Sequence, residues 1–148
     1  MEKSTSAETA EALNSLLRGE IAATETYVQA IRMLDDEPQA DRLRALRDDH
    51  VAAANVLRRL VNLFGEDNDT SSGGWGAFAK AVEGGAKLLG NDAAIRAIKT
   101  GEEHGVKEYE RTLERDDLDA DARRLLGDVL LPRQRAHVPL VEQILRAA

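Results

Sequence analysis

Gly19-Glu20-Ile21-Ala22-Ala23-Thr24-Glu25-Thr26-Tyr27 is the stretch on which the reading of this chain turns. Glu20 falls in series with Leu13, Leu16 or Leu17, Ala23 or Thr24, Tyr27, Ile31 and Leu34, a spacing of three and four that marks one face of an amphipathic helix. A carboxylate on such a stripe is costly to bury unless it is paired or ligated, so Glu20 needs a reason to be there. The pattern returns 82 positions on, from 20 to 102 and from 27 to 109, as Gly101-Glu102 followed by Tyr109. A second correspondence, offset by 87 (43 to 130), relates Leu43, His50, Val51 and Leu57 to Leu130, His137, Val138 and Ile144. The chain therefore reads as an internal repeat: two helical hairpins, each directing one glutamate and one histidine towards a shared interior.

The flanking residues supply the helix boundaries. Thr5 with Glu8 has the spacing of a capping box and predicts the start of the first helix. Asp35-Asp36-Glu37-Pro38 predicts the turn into a second helix, whose stripe is Leu43, Leu46, His50, Ala53, Leu57, Leu60 and Phe64. So short a connection makes the two helices antiparallel neighbours. Residues 65–74 are rich in Gly, Asp, Asn and Ser and read as a loop. They lead into a shorter crossing helix with Trp75, Phe78, Val82 and Leu88-Leu89, interrupted at Gly84-Gly85. Gly90 and Asn91 predict a stop and a fresh N-cap. The third long helix carries Ile95, Ile98, Glu102, Val106, Tyr109 and Leu113, and Asp119 is the expected cap of the last helix. The stripe of that helix is read as Leu126, Leu130, Arg133, His137, Leu140 and Ile144, with Pro132 and Pro139 bending its axis.

With 148 residues the chain is long enough for a real core, and one domain over 1–148 is expected, built of hairpins at 7–64 and 91–147 joined by 65–90. There is no cysteine, which leaves only histidine and carboxylate as metal ligands. No alternating β-branched segment predicts a strand. A net charge of -7 argues against a nucleic-acid surface. The N-terminus lacks the apolar segment of a signal peptide, and no apolar run approaches the roughly 20 residues needed to span a bilayer. The expectation is a soluble, cytoplasmic protein with no membrane partner.

Two carboxylates and two imidazoles in a dry bundle core match the ligand preferences of Fe, Zn or Mn, and a divalent ion would neutralise both acids. Glu20, His50, Glu102 and His137 are accordingly the candidate metal ligands. The competing reading needs no ion. Arg47, one turn from His50, could pair with Glu20 or Glu102, and Tyr27 and Tyr109 could donate to the carboxylates. His104 and Asp48 read as surface groups, and Asp49, beside His50, is the better placed of the two aspartates to reach an ion. No Gly-rich phosphate loop, Ser/His/Asp arrangement or basic-aromatic stripe occurs, so no catalytic residue is assigned.

A glutamate, six residues and a tyrosine on the first and third helices, with histidine on the second and fourth, resembles the ferritin-like superfamily, which includes rubrerythrins and di-iron carboxylate proteins. Over nearly all of residues 7 to 147 the chain also resembles a bacterial family of ferritin-like four-helix bundles known only as a domain of unknown function. The resemblance implies an all-α, up-and-down four-helix bundle with a short crossing helix between the second and third helices. It also implies Glu-x-x-His on the second and fourth helices, where this chain has Arg47-x-x-His50 and Gln134-x-x-His137. With both of those acids missing, a single ion is expected rather than a pair. The alternative is a non-catalytic interaction or stress-related scaffold with a metal-free core. A homodimer through Trp75–Phe78 is a further expectation.

Overall fold

The computed structural model describes residues 2–65 and 90–147. Among them all regular structure is helical: α1 is Glu2–Met33, α2 is Glu37–Leu63 and α3 is Asn91–Leu113. α4 (residues 120–146) runs without a break through an α-helical segment Ala120–Leu125, a wide π-helical turn Leu126–Leu130 and a second α-helical segment Leu131–Arg146. The proposed crossing helix, with Trp75, Phe78 and Gly84-Gly85, lies outside the described residues.

Capping explains most of the boundaries. Asp36 accepts the backbone N–H of Gln39, with Pro38 in the first turn of α2. Asp119 accepts from Asp121 and Ala122 at the start of α4. Two expected caps are corrected. α1 begins at Glu2, so Thr5 lies inside the helix, and the Glu8 carboxylate accepts from Arg115 across the bundle at 3.0 Å. α3 is capped by Gly90, whose φ of 88° is a conformation that side-chain-bearing residues rarely adopt, and Asn91 is already helical.

The buried residues form two apolar clusters separated by a polar layer. One holds Leu13, Leu17, Leu57, Val61, Leu126 and Leu130; the other holds Leu34, Leu43, Leu46, Ile95, Val141 and Ile144. Each helix contributes to both, which fixes its direction. α1 and α4 run from the first cluster to the second, while α2 and α3 run the opposite way. Each hairpin is thus antiparallel. α2 and α3 are parallel to each other, so up-and-down alternation does not continue between the hairpins. Residue 65 and residue 90 end up at opposite ends of the bundle, which accounts for the long connection. Fully burying each Leu or Ile in these clusters contributes about 1.5–3 kcal/mol.

α4 departs from the expected stripe. Arg133 and Leu140 are exposed, and Gln134 and Val141 take the inward positions. The buried series Ala122, Leu126, Leu130, Gln134 advances in steps of four. At 3.6 residues per turn, each such step drifts about 40° around a straight α-helix. The π turn over Leu126–Leu130 absorbs that drift and ends just before Pro132, which has no N–H to give to a regular ladder.

Candidate metal centre

Glu20, His50, Glu102 and His137 meet at one level of the bundle, in the polar layer between the two apolar clusters. All four are buried, at 4%, 2%, 3% and 3% exposure. His50 bridges the hairpins. Its Nδ1 lies 2.6 Å from Glu20 Oε2, and its Nε2 lies 2.6 Å from Glu102 Oε1. The His137 ring stands edge-on to that of His50, with centroids 4.8 Å apart. Its Nδ1 is 3.2 Å from Glu102 Oε2 and its Nε2 is 3.1 Å from Asp49 Oδ2.

The tyrosines complete the layer in a crossed arrangement. Tyr27 on α1 donates to Glu102 Oε1 on α3 at 2.5 Å, and Tyr109 on α3 donates to Glu20 Oε1 on α1 at 2.6 Å. Antiparallel neighbours require this crossing. Seven residues carry each tyrosine two turns beyond its own glutamate, to the side of the layer from which it reaches back to the other acid. Gln134 donates to Glu102 Oε2 at 2.7 Å and to the Glu102 carbonyl at 3.0 Å. Its amide occupies space that exists because residue 105 is glycine: a Cβ there would sit 2.5 Å from Gln134 Nε2.

The two halves are therefore unequal. Among the described residues, Glu102 receives four groups, while Glu20 meets His50 and Tyr109. His137 turns its outer nitrogen to Asp49, where the repeat would have offered Glu20. Arg47 does not enter the core. Its guanidinium pairs with Asp48 at 2.9 Å on the surface, which removes the protein cation from the metal-free reading. His104 is on the surface too, 3.6 Å from Glu108.

Burial opposes charge on His50, but the flanking carboxylates of Glu20 and Glu102 outweigh it and raise the ring's pKa to about 10. Burial likewise disfavours the Glu102 carboxylate, yet His50 and His137 hold its pKa down to about 2. Burial, reinforced by the neighbouring carboxylates, pushes both tyrosines well above the usual phenol range, so they act as donors.

The donor set fits an ion. His50, Glu102 and His137 each offer one ligand atom, and these atoms lie within 4.8 Å of one another. Metal-binding imidazoles characteristically give their second nitrogen to an outer carboxylate. Here Glu20 stands against the second nitrogen of His50, and Asp49 against that of His137. Glu20, read from the sequence as a ligand, is placed against His50 Nδ1 and stands outside the convergent group.

Residues 8–115 match the family described as a Domain of unknown function (DUF2383). The chain belongs to that family. The match takes in Glu20, Tyr27, His50, Glu102 and Tyr109 but stops short of α4, so it covers less than the near-complete resemblance expected from the sequence, and Gln134 and His137 lie outside it. No curated protein and no solved structure matches the chain. Among the described residues no helix is long and apolar enough to cross a membrane.

Proposed function

We propose that this member of the DUF2383 family is a ferritin-like metal-binding protein that holds one divalent ion, Fe, Zn or Mn, in the bundle core. His50 Nε2, Glu102 and His137 Nδ1 are its ligands, with Glu20 and Asp49 orienting the two rings from outside. The observation that carries this reading is the buried Glu102 carboxylate facing two imidazoles from two other helices. Charge supports it. Glu20 and Glu102 bring two buried carboxylates to one layer, and a divalent ion held by neutral imidazoles would offset both. Histidine and carboxylate ligands suit all three metals and do not choose among them.

Purified protein reconstituted with each metal in turn is expected to retain one ion per chain by elemental analysis, and Glu102→Gln to retain none. Absence of stoichiometric metal from the wild-type protein after reconstitution overturns the proposal. One observation favours a second reading. Both nitrogens of His50 lie 2.6 Å from carboxylates, as in an imidazolium that satisfies the cluster unaided. The bundle would then be a metal-free interaction or stress-related scaffold. In that case His50→Ala lowers stability and leaves ion content unchanged.

A further inference from the structure

A cavity of about 50 Å³ lies against the polar layer, lined mainly by α1 and α3. That is room for a few waters or for one small molecule. Most of its wall is apolar or small, with Leu16, Ala23 and Ile98, and Ser15, Thr26 and Glu108 also line it. Its floor is the polar layer itself, with Tyr27, Tyr109, Glu20, Gln134 and two of the three proposed ligands, His50 and Glu102. Three protein ligands leave an ion with positions to fill, the arrangement of sites that take water or substrate rather than of closed structural sites.

We infer that this cavity is the binding space for a small neutral ligand of the bound ion, a molecule of two or three heavy atoms with a lone pair for the metal and an N–H or O–H of its own. The inference rests on the metal-binding reading above. Size follows from the volume. Neutrality follows from the floor: the Glu20 carboxylate and the full charge balance of an ion with Glu20 and Glu102 make an added anion unfavourable. The donor requirement follows from the hydrogen bonds already made. Both tyrosine hydroxyls spend their protons on carboxylates, and the Gln134 amide spends its N–H groups on Glu102. What the floor has left to offer is acceptors.

The test uses the full chain loaded with Co²⁺, whose visible absorption reports changes at the ion, with cobalt content measured in every sample. Hydroxylamine near pH 7.5 is the neutral probe, azide the anionic one and benzimidazole the oversized one. Hydroxylamine is expected to change the spectrum saturably, at a concentration at least tenfold below that needed for azide, with no response to benzimidazole. Ala23→Phe, which fills the cavity wall, is expected to retain one cobalt per chain and lose the hydroxylamine response. Cobalt retained with no response to hydroxylamine overturns the cavity assignment and leaves the metal reading standing. A response to benzimidazole, or an undiminished hydroxylamine response in a cobalt-loaded Ala23→Phe protein, also overturns it, because the ligand then arrives by another route. No cobalt in the wild-type chain removes the metal reading and this inference together. If Ala23→Phe does not fold, the size and charge series in the wild-type protein decides the matter alone.

Discussion

The ring of His50 makes the metal-free protein sensitive to alkali. Its pKa is about 10 in the fold, against about 6.5 in an unfolded chain. Below pH 6.5 both states hold the proton and the full stabilisation is present. Above it the unfolded chain releases the proton while the native state keeps it, so stability falls with rising pH until the native ring also titrates near 10. At about 1.4 kcal/mol per unit, the interval from 6.5 to 10 corresponds to a loss on the order of 5 kcal/mol, of which roughly 3 kcal/mol is gone by pH 8.5. With a urea slope of about 1–3 kcal/mol/M, the unfolding midpoint should drop by roughly 1–3 M between pH 6.5 and 8.5. Circular dichroism at 222 nm, with chelator present, measures it. His50→Gln, which carries no titrating ring at this position, should show no such fall over the same range. A wild-type midpoint unchanged from pH 6.5 to 9 refutes the picture of an imidazolium held between two carboxylates. The metal-loaded protein should move the other way. The ion replaces one proton, so its apparent affinity rises about tenfold per pH unit over this interval.

Three further outcomes follow from the geometry. Tyr27→Phe and Tyr109→Phe each remove a buried donor to a carboxylate and should each cost about 1.5–3 kcal/mol in urea unfolding; effects below about 0.5 kcal/mol would show that these bonds are not made. Gly105→Ala places a methyl group where the Gln134 amide sits, so it should cost about 1–3 kcal/mol. Most of that should vanish in a Gln134→Ala background, and full additivity would mean that the two residues do not meet. Arg47→Ala should stay within about 0.5 kcal/mol of the wild type with unchanged ion content, because its partner is the surface Asp48.

How much of this was legible in the sequence depended on whether a residue's role is set by its own helix or by a neighbour. Helical period alone put Leu13, Leu43, Leu57, Ile95 and Ile98 in the core, and it put Glu20, His50 and Glu102 among them. Each of these is fixed by the stripe of a regular helix. Period failed on α4, where a run of four-residue steps needs a wider turn than an α-helix has. The signal was present in Ala122, Leu126, Leu130 and Gln134, with Pro132 beside them, but a reading at 3.6 residues per turn chose Arg133. The repeat was informative in the same limited way. The matched spacing of the two halves located the four polar positions, but it implied equal halves. The halves differ at residues that the repeat does not share: position 49 is Asp where its counterpart is Ala136, and Gln134 stands opposite Arg47. Asp49 draws the outer nitrogen of His137 away from Glu20, and Gln134, admitted by Gly105, anchors the carboxylate of Glu102. Those side chains decide which acid faces both imidazoles, and they moved the candidate centre from a symmetric set of four to a triad around Glu102.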